Sequence, residues 1–94
     1  MSGIPLATNV IYAGYGCYNK TWDVSTAAYG RMVDAFDASQ PSVTFFAAND
    51  AWGGDPAPGL RKYFFIAWKQ GDAPVNSGVV GENDGTGVVV PTGK

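Results

Sequence analysis

The segment that most limits the fold of this chain is RKYFFIAWK, residues 61–69, an aromatic stretch with basic residues at both ends. It contains neither Gly nor Pro and is too short for a typical helix, so its aromatic content predicts a β-strand. Because successive strand residues point to opposite faces, one face carries Tyr63, Phe65 and Ala67. The other carries Lys62, Phe64, Ile66 and Trp68. Both faces are apolar at the centre, and packing within one sheet can bury only one of them. We therefore expect the other face to pack against either a short helix or another copy of the chain.

Short strands joined by tight turns are predicted for most of the remaining chain. Thirteen Gly, six Pro, five Tyr, five Phe and three Trp are typical of such a protein. In the first strand, residues 6–15, alternation places Leu6, Val10 and Tyr12 on one face and Ile11, Ala13 and Tyr15 on the other. Further strands are expected at 42–49, around 75–80 and at 87–90.

One short helix is predicted over residues 25–37. Its apolar residues recur at helical spacing, and Asp23 or Ser25 supplies the capping residue before it. The segment AWGGDPAPG, residues 51–59, is predicted to be an irregular loop because of its prolines and glycines. We therefore expect a mainly β fold, a small antiparallel β-sandwich with one short helix. A single domain, residues 1–94, follows because a second core would bury too little apolar surface.

Charge and cysteine content exclude several classes of partner. The net charge is −2, and the six cations are mostly scattered, so a nucleic-acid partner is not expected. Cys17 is the single cysteine, which leaves no intrachain disulfide and no cysteine-based zinc site. No apolar run is long enough to insert into a membrane. The start, MSGIPLATNV, lacks the features of a signal peptide, so we expect a cytoplasmic protein or one released without a classical signal peptide.

The chain contains no histidine, which removes the commonest general base and the commonest metal ligand. A carboxylate pair able to hydrolyse glycosides is still an alternative, but a domain this small has little volume to line the deep cleft it needs. The candidates for such a pair are Asp23, Asp50, Asp55, Asp72, Glu82 and Asp84. We expect no enzymatic activity and no cofactor.

Two polar loops carry the candidate binding residues. The first follows the first strand and contains Tyr18, Asn19, Trp22 and Asp23, which are either ligand contacts or turn and cap residues. The second, residues 49–55, places acceptor side chains and glycine N–H groups around a tryptophan, with Asn49, Asp50, Trp52, Gly53 and Asp55 as candidates. An aromatic residue on a rigid loop is more typical of recognition than of packing, although this tryptophan could also close one end of the sandwich.

The segment GENDGTG, residues 81–87, offers the oxygen donors Glu82, Asn83 and Asp84. It lacks the ligand spacing of a twelve-residue calcium loop, so a plain turn is the favoured interpretation and no metal is expected.

The two loops together match what a neutral sugar requires. Sugar hydroxyls need carboxylate or amide acceptors and backbone donors, and the C–H face of the ring needs an aromatic plate. Glycines allow the backbone to approach the ligand. These residues predict a sugar-binding module, with the two loops close together and forming one shallow site.

Four segments support a resemblance to known proteins: IYAGYG at 11–16, WDV at 22–24, NDAWGGDPAPGLRKYFFIAW at 49–68 and GENDGTGVVVP at 81–91. The chain resembles the small α-galactosyl-binding lectins of mushroom fruiting bodies, and its motifs are similar to the C-terminal β domain of certain J-domain co-chaperones. The most specific part is GGDPAPGLRK at 53–62, and Ser25 stands where Thr is usual. The lectin resemblance implies a fungal homodimer that binds glycans ending in galactose, including galactose α-linked to galactose.

A second hypothesis stays open beside the lectin. In it, the chain is a non-catalytic structural or protein-interaction β domain, and residues 49–55 only shape one end of the fold.

Overall fold

The computed structural model describes residues 8–94 and confirms a mainly β protein built from antiparallel sheets. The elements in chain order are β1 (Thr8–Cys17), β2 (Lys20–Asp23), α1 (Ser25–Asp37), β3 (Ser42–Phe45), α2 (Asn49–Trp52), β4 (Tyr63–Gln70), β5 (Asn76–Gly81) and β6 (Val88–Pro91). Strands β2-β1-β4-β5 form one sheet, and β3 pairs with β6 in a second. None of the helices in this part of the chain is long and apolar enough to cross a membrane.

The predicted helix and the aromatic strand are confirmed. Helix α1 covers residues 25–37, and its buried residues Ala28, Met32 and Phe36 follow the predicted spacing. Strand β4 begins and ends within two residues of the predicted segment. Three features differ from the predictions. The residues expected to form a polar loop before α1 include strand β2. The strand expected at 42–49 ends at Phe45, and a second helical turn, α2, occupies residues that were predicted to belong to the end of that strand and the start of the irregular loop at 51–59.

The core lies between the larger sheet on one side and α1, α2 and the β3-β6 sheet on the other. Fully buried Tyr15, Phe64 and Ile66 project from the sheet, and Met32 and Phe45 pack against them from the opposite side. Helix α1 therefore covers the Phe64 face of β4. It does not cover the Tyr63 and Phe65 face.

A β-bulge in β1 decides which residues of that strand enter the core. Val10 pairs with Trp68, but the next paired residue is Tyr12, opposite Ala67, so Ile11 is inserted between them. An inserted residue reverses the alternation of faces. Val10 accordingly packs against the core, whereas Ile11 and Tyr12 are exposed. The prediction that Val10 and Tyr12 share a face is wrong for this reason, and Leu6 lies outside the described residues.

Candidate functional site

The outer face of the larger sheet has a row of aromatic side chains beside two glycines. Tyr12, Tyr63 and Phe65 are 38%, 41% and 40% exposed, respectively. Gly14 of β1 pairs with Phe65 of β4, and Gly16 pairs with Tyr63. Since the glycines lack side chains, they leave a trough along β1 that the rings of β4 border on one side.

The two glycines are required for different reasons. A Cβ at Gly16 would collide with the backbone of Lys20, and its φ of +148° also disfavours a side chain, so close pairing of β1 with β2 demands glycine here. A Cβ at Gly14 would instead lie 2.6 Å from the Tyr12 hydroxyl oxygen and 3.1 Å from Thr21 Cγ2. Gly14 thus makes room for the Tyr12 phenol, which bends over the trough.

The trough is the floor of a cavity of about 500 Å³, within the size range of small-molecule sites. Gly14, Gly16 and Cys17 line its floor, and Tyr12, Tyr63 and Phe65 line its aromatic wall. We call this cavity the glycine-floored pocket. The Tyr12 and Phe65 rings lie 6.3 Å apart at an interplanar angle of 40°, so the two rings are tilted relative to each other.

The β1-β2 hairpin forms one rim of the pocket. Tyr18 lies in its turn with a φ of 50° and is 90% exposed. The Thr21 hydroxyl donates a hydrogen bond to the Tyr18 carbonyl oxygen over 3.4 Å. This rim therefore presents a phenol and a hydroxyl to a ligand.

Leu60 and Arg61 form the opposite rim, immediately before β4. The Arg61 guanidinium forms an ion pair with Asp84 and donates hydrogen bonds to the Glu82 carbonyl oxygen at 3.3 Å. Its carbon Cζ lies 5.1 Å from the centre of the Tyr63 ring, at which distance a cation–π contact is favourable. The guanidinium is thus held between the turn at 81–84 and the aromatic wall.

A buried lysine holds this rim in position. Lys62 is only 4% exposed, and its ammonium lies 3.1 Å from an Asp55 oxygen and 3.2 Å from a Glu82 oxygen. The ammonium also donates hydrogen bonds to the carbonyl oxygens of Ala57 and Leu60. Burial favours the neutral amine, but the hydrogen bonds to the two carboxylates outweigh it and raise the pKa of Lys62. Lys62 thereby ties the residues preceding Arg61 to the turn that binds Arg61.

Tyr15 lies on the other face of β1 from Gly14 and Gly16. Its hydroxyl donates a 2.6 Å hydrogen bond to the Asn49 side-chain oxygen, and the residue is fully buried. Burial and, secondarily, the negative charge of Glu82 raise the pKa of Tyr15 to about 12. This contact fixes the start of α2 to the larger sheet.

The structure assigns the predicted residues of the first loop to different surroundings. Tyr18 and Asn19 form the hairpin turn, and of the first loop's candidates only Tyr18 lines the glycine-floored pocket. Trp22 belongs to β2, paired with Tyr15, and its ring approaches Gly54. Asp23 accepts hydrogen bonds from the Ser25 hydroxyl and backbone N–H, which lower the pKa of its carboxyl, so it fixes the entry to α1.

The second loop supplies structural residues and no wall of the pocket. Trp52 was predicted to be an exposed recognition residue, but it is 7% exposed, and its ring stacks on Phe64 at 4.7 Å. Arg31 covers the ring at 4.2 Å, and the indole N–H donates to the Phe46 carbonyl oxygen. The exposure predicted for Trp52 is wrong because the helical turn of α2 directs the side chain into the core, and this agrees with the alternative in which the tryptophan packs against the fold.

The other candidates of this loop have local roles. Asn49 accepts the Tyr15 hydrogen bond, and Asp50 is exposed in the first turn of α2. Gly53 ends α2 in the left-handed conformation. Asp55 binds Lys62 and accepts a hydrogen bond from the Ala57 N–H.

The predicted proximity of the two loops agrees with the structure. A Cβ placed on Gly54 would lie 3.1 Å from the Trp22 ring, and Tyr15 reaches Asn49. However, Trp22 pairs with Tyr15 and so shares its face of the sheet, the core side on which Tyr15 reaches Asn49. The pocket lies on the opposite side, so the sheet separates it from the predicted acceptor Asn49.

The turn at residues 81–87 uses its carboxylates for internal contacts. Glu82 accepts a hydrogen bond from the Lys62 N–H at 2.7 Å in addition to its ion pair, and Asp84 accepts one from the Gly81 N–H at 2.7 Å. Among residues 8–94, no three His, Cys, Asp or Glu side chains are grouped as metal ligands would be.

The sequence did carry a signal for the pocket. Glycines at positions 14 and 16 share one face of β1, and Tyr63 and Phe65 share one face of β4. When these strands pair in the observed register, small and aromatic residues face each other. Because strand pairing and register are not visible in the sequence, this arrangement could not be predicted from it.

The pocket combines features suited to a small polar ligand with an apolar face. Aromatic rings can cover C–H groups, and the hydroxyls of Tyr18 and Thr21 and the N–H groups of Arg61 can bind oxygen atoms. A scan against protein-family models and searches of curated proteins and of solved structures found no match to this chain.

Proposed function

We propose that this chain is a lectin that binds a terminal galactose in the glycine-floored pocket. The observation that carries the proposal is the pocket itself, a cavity of about 500 Å³ with an aromatic wall and hydroxyl groups at its rim. Small-molecule sites are typically concave and mostly apolar, with few polar groups that orient the ligand.

Galactose suits this arrangement because its axial 4-hydroxyl leaves one face of the ring rich in C–H groups. That face can lie on Tyr63 or Phe65, whose half-exposed rings border the floor. The hydroxyls on the other side would then meet the hairpin rim. The preference for an α linkage rests on the resemblance to mushroom lectins.

The working unit in this proposal is a homodimer with one pocket on each subunit. A shallow site binds a single sugar weakly, and two sites on one rigid particle raise the avidity for a glycan-coated surface. The dimer contact must leave the pocket uncovered. It therefore cannot use the Tyr63 and Phe65 face, which the sequence offered as the dimer surface.

A second function is favoured by the extent of the exposed apolar face. Val79 of β5, paired with Phe65, is 64% exposed and continues the aromatic row of β4. Contiguous exposed apolar residues are typical of protein contacts. In this alternative the same face binds a protein, and the chain is a non-catalytic interaction domain.

Glycan-array binding, followed by calorimetry with methyl α-galactoside, separates these functions. Replacing Phe65 with Ala should weaken sugar binding by about 1–3 kcal/mol, the range found for aromatic contacts in binding sites. Gly14→Ala should also weaken binding, because the Cβ of the alanine would displace the Tyr12 phenol from its position over the trough. Val89→Ala is the matched control, since Val89 is 56% exposed on the other sheet.

The lectin proposal requires that the wild-type protein and V89A bind the galactoside and that both pocket variants bind it more weakly. Absence of glycan binding by the wild-type protein would refute it and favour the interaction domain. Equal affinities for all four proteins would place the sugar site elsewhere.

A further inference from the structure

Arg61 is the one formally charged side chain among the described residues that line the glycine-floored pocket. A free guanidinium at a pocket rim binds carboxylates well, because its fork of N–H groups matches their geometry. A sugar acid would therefore be a natural ligand if this guanidinium were unpaired.

The guanidinium is already paired within the chain. Its Nη2 atom forms an ion pair with Asp84, and it donates to the Glu82 carbonyl oxygen and to the Tyr63 hydroxyl, both at 3.3 Å. These partners engage Nε and both terminal nitrogens. A ligand carboxylate would have to displace at least one of them.

Asp84 is held in place by the turn, and it is not one of the residues that line the pocket. One of its carboxylate oxygens accepts the Gly81 N–H at 2.7 Å, and the other pairs with Arg61. Its backbone N–H also donates to the Gly81 carbonyl oxygen. The negative charge is thus fixed beside the guanidinium whether or not a ligand is present.

We propose that Asp84 makes the pocket selective for neutral sugars over sugars that carry a carboxylate. It neutralises Arg61 and repels a second negative charge at the rim, whereas a neutral sugar hydroxyl meets no such repulsion. This inference rests on the proposed lectin function and concerns the charge of the sugar.

The test compares two sugars that differ only at C6, methyl α-galactoside and methyl α-galacturonide. Asp84→Asn removes the charge but keeps an amide oxygen for the Gly81 N–H. Calorimetry should give a gain of about fivefold in affinity of D84N for the galacturonide, the size expected of one partly exposed ion pair. Its affinity for the galactoside should stay within about twofold of the wild type, and the gain should shrink at high salt.

Two further variants control the measurement. Asp72→Asn makes the same change in net charge in the turn after β4, at the opposite end of that strand from Arg61, and should not alter either affinity. The double variant R61Q/D84N should lose the gain for galacturonide, because the cation that would bind the carboxylate is absent. Thermal unfolding of each variant checks that the turn stays folded.

The outcomes separate the two proposals. If the wild type binds galactoside and D84N shows the same ratio of affinities for the two sugars as the wild type, the charge-selectivity inference is wrong and the lectin function stands. A similar gain in D72N, or a gain that survives in R61Q/D84N, also overturns the inference. If no variant binds either sugar, the lectin function fails and this inference fails with it.

Discussion

Replacing Trp52 with Ala tests whether this residue stabilises the core or contacts a ligand. The ring is 7% exposed, stacks on Phe64 with an interplanar angle of 5°, and lies 5.9 Å from the Phe45 ring. Truncating such a residue typically costs about 3–5 kcal/mol, because both the transfer free energy and the packing around the cavity are lost. The Phe46 carbonyl oxygen also loses its indole partner.

This loss is a large part of the roughly 5–15 kcal/mol that stabilises a typical domain. Each kcal/mol shifts the unfolding midpoint of a domain of this size by about 4–8 °C, so W52A should lower it by roughly 12–40 °C. Circular dichroism during heating and urea titration both measure the effect.

Trp22→Ala is the matched control, since Trp22 is 42% exposed. Its truncation should cost less than about 1.5 kcal/mol, because about half of the side chain is already in water. The reasoning would be refuted if W52A were as stable as W22A, or if W52A lost sugar binding while its unfolding midpoint stayed unchanged.

Two further predictions concern alkaline stability and self-association. Below pH 10 the Tyr15 hydroxyl is neutral in both the folded and the unfolded protein. Between pH 10 and about 12 the unfolded chain loses the hydroxyl proton, whereas the folded chain keeps it. The free energy of unfolding should therefore fall as pH rises through this window. Lys62 acts in the same direction, because its ion pairs disappear as pH rises through its raised pKa. Tyr15→Phe should lower the free energy of unfolding by about 1 kcal/mol near neutral pH, because the hydrogen bond to Asn49 is lost. Between pH 10 and about 12 the free energy of unfolding of Y15F should fall less steeply than that of the wild type. Parallel curves of unfolding free energy against pH for the two proteins, measured by urea titration, would contradict the Tyr15 contribution. Sedimentation equilibrium at micromolar concentration should give about twice the 9.9 kDa chain mass, and a monomer at all concentrations would remove the homodimer and its avidity.

Local patterns in the sequence predicted helix α1 and every strand except β2, although the strand expected at 42–49 ends at Phe45 and α2 was not predicted. Helix α1 matches its predicted bounds, because amphipathic spacing is a local property that tertiary contacts did not override. The predicted cap is wrong, however, because the N-cap is Val24 and not Asp23 or Ser25. Strand β4 was predicted because its aromatic residues and length exclude other structures. The absence of histidine, a property of composition alone, ruled out a histidine general base or metal ligand before any fold was known.

Tertiary structure alone decided where the pocket lies and which aromatics are exposed. The bulge at Ile11 depends on pairing with β4, and it turned Tyr12 away from the face it was predicted to share with Val10. The four residues of β2 carry no apolar alternation, so the sequence favoured a polar loop, and in the structure all four are exposed.

The candidate site shows the same division. The sequence pointed to aromatic and acceptor residues on loops, but Trp52 entered the core and the acceptors bound partners within the chain. Gly14 and Gly16 became a pocket floor only because the register aligned them with Phe65 and Tyr63. Residue type determines what chemistry a side chain can perform, whereas strand pairing and register decide which side chains share a face, and those depend on contacts between residues far apart in the chain.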